Sequence, residues 1–310
     1  MARLTVLSGG TGTPKLLRGL ARLHPDFTVV VNTAEDLWLS GNLVCPDVDT
    51  VLYTLSGVVH DHRWWGMAGD TFHTHRRLEA IGHRETLALG DLDRATHILR
   101  SELVRRGSTL TAATAELCRR FGVAQRVLPM SDRPIASMLR MPDGEVHFQE
   151  FWVARRGEPD VLGVRLAGEL EPSEQVIEAL GAADAVVIGP SNPVTSIGPI
   201  LELHGVREAL QRPRVVAVSP FVGLAPVSGP AAKLMRAVGW EPSARGMAGM
   251  YADFLDVAVV HMGDGGTLGG LNVEVVETDV LMPDVQAAER LASEVVGLAL
   301  PGYNRKVEVR

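Results

Sequence analysis

Short apolar runs that end in glycine, serine or proline punctuate the chain, and they set its architecture. Leu4-Thr-Val-Leu7 is the first, and it runs at once into Ser8-Gly-Gly-Thr-Gly-Thr-Pro-Lys15. A β-branched run closed in this way predicts a buried strand ending in a tight loop. Leu16, Leu17, Leu20 and Leu23 then recur at helical spacing. Pro14 suits the first helical turn, where its missing N–H forfeits no bond. Phe27-Thr-Val-Val-Val31 supplies the next strand and completes a β-α-β unit, whose crossover should be right-handed. Asp184-Ala-Val-Val-Ile188 and Arg214-Val-Val-Ala-Val218 repeat the pattern downstream. Buried strands alternating with helices predict a mainly parallel sheet.

Two stretches depart from that rhythm. Residues 70–121 read as helical, with Asp70 and Thr111 as candidate caps, and form a helical insertion. Residues 138–153 alternate around Pro142-Asp-Gly-Glu145, a hairpin signal that would give the sheet an antiparallel edge. No repeat, low-complexity tract or linker cuts the chain, so residues 1–310 are expected to form one domain.

Composition narrows the partners. A net charge of -7 argues against nucleic acid and against a polybasic membrane anchor, so any anionic ligand must be met locally. Cys45 and Cys118 lie far apart and form no CxxC or Cys/His pattern, as expected of packed thiols in a reducing compartment. No apolar run reaches the length of a signal peptide core or a membrane span. These features predict a cytoplasmic protein.

The glycine-rich stretch carries the strongest chemical signal. Glycines after a strand let backbone N–H groups form a concave anion site, the next helix start adds positive partial charge, and Lys15 adds a full one. The spacing fits neither GxGxxG nor GxxxxGK[ST], and Asn32 stands where a nicotinamide-binding strand would carry an acid. Four acids follow, Glu35, Asp36, Asp47 and Asp49. Magnesium requires one or two carboxylates plus phosphate oxygens, so this group could hold a metal against the glycine loop. The same positions equally suit helix caps, Asp49 before Thr-Val-Leu-Tyr above all. Asp91, Asp93, Arg94 and His97 mark another helix start, open to both readings. His60, His62, His73 and His75 lack metal-site spacing and read as solvated or hydrogen-bonded side chains. Gly189-Pro-Ser-Asn-Pro-Val-Thr-Ser-Ile-Gly-Pro199 and 219–230, with Lys233 one turn into the following helix, are proline-stiffened loops after strands. Several such loops on one sheet edge predict a ligand crevice.

Taken together, these residues resemble the 2-phospho-L-lactate transferase family, CofD, of coenzyme F(420) biosynthesis. The resemblance covers nearly the whole chain. Its most specific parts are SGGTGTPKLL from Ser8, VNTAEDLW from Val31, CPDVDTVLY from Cys45, LGDLDRATHI from Leu89, LPMSDRP from Leu128, HFQEFWV from His147, GPSNPVTSIGPI from Gly189 and APVSGPAAKLM from Ala225. It implies a Rossmann-like three-layer α/β/α fold, a homodimer, and attack by the terminal ribityl hydroxyl of the deazaflavin Fo on a GDP-activated phospho-acid, releasing GMP. The acid would be phospholactate, phosphoenolpyruvate or phosphoglycerate. On this resemblance Gly9, Gly10, Thr11, Gly12 and Lys15 hold the nucleotide phosphates, with Ser191, Asn192 and Ser196 opposite. Asp36 and Asp49 are the expected catalytic and magnesium residues. Asp49 with Ala88, Leu89, Gly90 and Asp91 is expected to contact Fo, although a basic residue often stands where this chain has Ala88, leaving a main-chain contact there. The YvcK-like nucleotide-sugar binders share the fold and the glycine-rich start, but LGDLDRATH, HFQEFWV and SNPVTSIGPI favour the transferases.

Overall fold

The computed structural model describes residues 2–24 and 26–302. Seven strands form one sheet in the order Glu274–Thr278, Val257–His261, Arg214–Val218, Ala185–Ile188, Leu4–Ser8, Phe27–Val31, Arg126–Pro129, and every neighbouring pair is parallel. The four strands read from the sequence are its centre. Arg126–Pro129 escapes that reading because it is short and ends in proline. Val257–His261 follows the helix Ala244–Met250 with no glycine or proline between them. Glu274–Thr278 is an edge strand that buries little.

Alternation along the strands produces the three layers. Val6, Val29 and Val31 point to one face, where Leu16, Leu17 and Leu20 of the helix Gly12–Leu23 and Leu291 and Val295 of the helix Val285–Ala299 cover them. Leu7, Val30 and Ile188 point to the other, under Val176 and Leu180 of the helix Glu174–Ala182 and Met247 and Ala248 of Ala244–Met250. The fold is the expected Rossmann-like α/β/α arrangement.

The hairpin lies elsewhere than expected. Ile135–Met141 pairs antiparallel with Gly144–His147 on one side and Gly163–Gly168 on the other. This is a separate three-stranded sheet, not an edge of the main one, and its own core of Leu139, Met141, Val146, Phe148 and Phe151 packs against Leu234. Within 70–121 lie the helices His73–Ala80, Asp91–Arg105 and Leu110–Phe121. Their caps also differ from expectation. Thr109, not Thr111, caps Leu110–Phe121 by accepting from the Ala112 N–H. Asp70 is a cap, but of the helix that starts 21 residues later, accepting from the N–H groups of Leu92 at 2.8 Å and Asp93 at 3.0 Å. Among the described residues no helix is long and apolar enough to cross a membrane.

Candidate active site

Strand order reverses between Leu4–Ser8 and Ala185–Ile188, which pair with each other in the middle of the sheet. Ligands of open α/β sheets bind at such a switch point, beyond the carboxyl ends of the strands. Here the two loops leaving these strands interlock. A Cβ on Gly12 would come within 1.9 Å of the Pro190 carbonyl oxygen, so only glycine permits the approach. Thr13 Oγ1 lies 2.6 Å from Ser191 Oγ, and the Ser191 hydroxyl donates to the Gly9 carbonyl. Gly10 adopts φ 56°, the left-handed region. The helix Gly12–Leu23 begins without a side-chain cap and with no acid in its first turn. Its free N–H groups and positive dipole end are therefore left for an anion.

A cavity of about 780 Å³ opens over these loops. Gly10, Thr11, Gly12, Lys15, Asp49, Ala88, Leu89, Ser191, Asn192 and Ser196 line it, as do Glu35, Asp47 and Asp93. Trp65, Phe148 and Trp152 also line it, the two tryptophans 42% and 39% exposed. Of the residues expected at the site, Gly9 lies just behind the lining, its position for a Cβ 2.7 Å from that of Ser196. Asp36 also stands behind it, with its Oδ1 shut off from solvent and unpartnered. Asp91 turns away: its carboxylate accepts from the Thr71 hydroxyl and from the N–H groups of His73 and Thr74, capping the helix His73–Ala80. Gly90 makes room for Asp70, whose Oδ2 would be 2.0 Å from a Cβ there.

The acids fall into two groups. Asp49, in the first turn of the helix Pro46–Leu55, is no cap. Arg100 grips both of its oxygens, Nη1 at 3.1 Å from Oδ2, and His97 Nε2 sits 3.1 Å from the same oxygen. His97 also approaches Asp93 Oδ1 at 3.2 Å, to which the Tyr53 hydroxyl donates at 2.7 Å. Burial opposes the charge on Asp49, but the nearby Arg100 and His97 outweigh it and hold the carboxyl below its ordinary range. Burial likewise opposes protonation of His97, yet its bonds to Asp49 and Asp93 raise it to about 9. Asp49, Asp93 and His97 present ligand atoms all within 4.8 Å of one another, a group that could hold a metal ion.

The second group has no bonded counterion, and the charge of Arg100 reaches only Asp36. Among the described residues Glu35, Asp36 and Asp47 make no ion pair. Burial pushes Asp47 up to about 6 despite bonds from Asn32 and the Gly10 backbone. Burial and the charge of Asp47 push Glu35 well up, and burial does the same for Asp36. Asn32 ties this group to the loops, its amide donating to Asp47 Oδ2 at 2.9 Å and the Thr195 carbonyl at 3.2 Å.

Comparison with known proteins supplies the family. The family profile described as 2-phospho-L-lactate transferase CofD matches residues 4–295. The chain belongs to the CofD family. A 2-phospho-L-lactate transferase of Methanosarcina barkeri is 50% identical over 95% of this chain and 98% of its own. That of Methanopyrus kandleri is also 50% identical, over 95% and 96%. This CofD-family chain is thus a transferase. In fold it is similar to a crystal structure of a UPF0052-family protein from Bacillus halodurans, with a TM-score of 0.65 over 95% of this chain and 98% of that one at 21% identity.

Sequence reasoning named Asp93 and His97 without a role and missed Arg100. The signal was present: 93, 97 and 100 are spaced to share one helix face.

Proposed function

We propose that the chain transfers a 2-phospho-L-lactate group, or its phosphoenolpyruvate or phosphoglycerate counterpart, from a GDP-activated donor to the terminal ribityl hydroxyl of the deazaflavin Fo, as a cytoplasmic homodimer. The observation that carries this reading is the cavity itself, which is lined both by an uncapped helix start with its glycine loop and by the flat rings of Trp65, Phe148 and Trp152. The first suits phosphates and the second a planar ring system.

In this reaction the ribityl oxygen forms a bond to the phosphorus that bears the acid, the bond from that phosphorus to GMP breaks, and the hydroxyl proton leaves to solvent. The protein's task is positioning and neutralising charge. Backbone N–H groups from Gly10 to Gly12 with Lys15 hold the phosphates, and Ser196 and the Asn192 amide close on them from the facing loop. Gly9 and Ser191 act one step back, since the Ser191 hydroxyl is bonded to the Gly9 carbonyl. Leu89 and the Ala88 backbone meet Fo, while Gly90 and Asp91 shape that segment from behind.

Magnesium would supply a positive charge against the phosphate oxygens. The donor chemistry favours Asp47 with Glu35 as its holders, because these carboxylates face the cavity without a cationic partner and a hard cation relieves their burial. Asp36 adds negative charge from behind. Asp49 already has both oxygens occupied by Arg100 and His97, and serves better as a fixed charge orienting the attacking hydroxyl.

The test is incubation of the protein with Fo, magnesium and each of the three GDP-activated acids, with products weighed by mass spectrometry. The expected result is a phosphodiester of Fo together with GMP. Absence of product with all three donors would sink the reading.

A further inference from the structure

Two arginines on the cavity wall, Arg63 and Arg156, have no carboxylate partner among the described residues. Arg63 is occupied by aromatic rings, its guanidinium 5.4 Å from the centroid of Trp65 and 5.7 Å from that of Phe72. Arg156 makes no hydrogen bond, ion pair or ring contact among the described residues. Its neighbour Arg155 is bonded to Asp143 at 2.6 Å and to Glu150 at 2.8 Å.

The backbone at Arg156 is also unusual. It adopts φ 56°, followed by Gly157 at φ 63°. A non-glycine residue in this region is strained, and such strain persists where the surroundings over-determine it, most often at functional sites. Lys233 does the determining. Its ammonium donates to the carbonyls of Gly157 at 2.7 Å, Glu158 at 2.9 Å and Pro159 at 3.0 Å, and lies 5.8 Å from the centre of the Phe151 ring. A Cβ on Gly157 would come within 2.8 Å of the Trp152 ring, so the pinned turn rests on a ring that lines the cavity. Lys233, which the sequence places near the crevice, is therefore spent inside the protein on the turn that carries Arg156 to the cavity.

Arg156 is thus an unpaired cation on the wall of the cavity that Lys15 and the glycine loop also line. We propose that Arg156 recognises the carboxylate of the donor's acid and that Lys233 is its positioning residue. The inference rests on the function proposed above. A guanidinium presents two parallel N–H groups that match a carboxylate, which a phosphate-binding loop does not do for an acid one carbon away. A phosphate oxygen of the nucleotide offers related chemistry, and the experiment separates the two.

Affinities are measured by calorimetry for GDP and for two esters of its terminal phosphate, one with lactate and one with 2-propanol, which puts a methyl group where lactate has its carboxylate. The unmodified protein should prefer the lactate ester by about 10- to 100-fold, the range of one charge-assisted bond. Arg156→Gln should cut that preference to a few-fold and leave GDP affinity within about twofold. Arg156→Lys, which keeps the charge and loses the fork, should fall between. Lys233→Met should lower the preference in the same direction without moving GDP affinity, a split that a general loss of folding would not give. Retention of the full preference in Arg156→Gln overturns the inference, and so does an equal loss of all three ligands, which would assign the guanidinium to phosphate. An unmodified protein that binds none of the three overturns the proposed function as well.

Discussion

The two acidic groups beside the cavity differ in how their charge is met. Asp49 and Asp93 are closed against Arg100 and a protonated His97, two acids facing two cations. Glu35 and Asp47 are equally buried and have only hydrogen-bond donors such as Asn32 and Gln149. A buried carboxylate with its cation is a fixed, preorganised charge; one without is unstable until something positive arrives. On the function proposed above, the first group holds geometry and the second receives a ligand. Substitutions that remove charge should therefore have opposite effects on stability in the two groups.

The largest expected effect is at Arg100. Arg100→Met leaves the buried Asp49 carboxylate with His97 as its one remaining cation, and should cost about 3 kcal/mol in urea unfolding. Adding Asp49→Asn to that variant removes the stranded charge and should recover much of the loss. If the double variant is as unstable as the single one, Arg100 acts through packing and not through Asp49. The same double variant sharpens the assignment of Asp49 to the reaction. Asp49→Asn, alone or with Arg100→Met, should lower turnover with Fo by about 100-fold or more, the effect of losing one electrostatic stabiliser. GDP affinity should change little, because the glycine loop is intact. Stability restored without turnover is the decisive pattern, and normal turnover in folded Asp49→Asn would remove it from the site.

At Asp47 the sign reverses. Its carboxyl rises from the ordinary 3.8 to about 6 on folding, so the native state holds a proton more tightly than the unfolded chain. The wild type is accordingly most favoured below pH 4 and loses stability as pH rises through about 6. Asp47→Asn does not titrate and can still accept from the Asn32 amide. In metal-free buffer it should be more stable than wild type by about 1–3 kcal/mol at pH 8, with the gap closing near pH 4. Magnesium should raise the melting temperature of the wild type and not of the variant. A pH-independent gap would mean that Asp47 carries no burial penalty.

How much of this was legible beforehand follows from the range of each interaction. The central strands, the glycine loop and the proline-stiffened loops were readable because β-branched runs and glycines act locally. Membership of Asp47 and Asp49 in one acidic cluster was readable for the same reason. Which acid is neutralised was not, since Arg100 lies 51 residues from Asp49. The helix Asp91–Arg105 also inverts the usual pattern: Asp93, His97 and Arg100 face inward while Leu92 and Ile98 are 50% and 54% exposed. Periodicity reveals two faces but not which one meets the core. The hairpin at Pro142 was readable as a pair, yet strand alternation carries no information about which sheet it joins.

The smallest effect tests what holds that inverted helix in place. Its N-terminus has no local cap, because the residue before Asp91 is Gly90. Asp70 supplies the acceptor from outside, taking the N–H groups of Leu92 and Asp93, and Gly90 lacks the Cβ that would occupy the position of its Oδ2. Asp70→Ala should therefore cost about 1 kcal/mol, the usual worth of an N-cap, and Asp70→Asn considerably less because its amide oxygen still accepts. Gly90→Ala should reproduce the Asp70→Ala loss by displacing the carboxylate, and combining the two should cost little more than either alone. Additive losses would instead show that Gly90 and Asp70 act independently. Because Asp93, His97 and Arg100 ride on this helix, the loosened cap should also shift the pH at which His97 deprotonates downward from about 9, measurable by NMR titration of its ring. The ligand-receiving group of Asp47 hangs on a different helix and should keep its own titration unchanged.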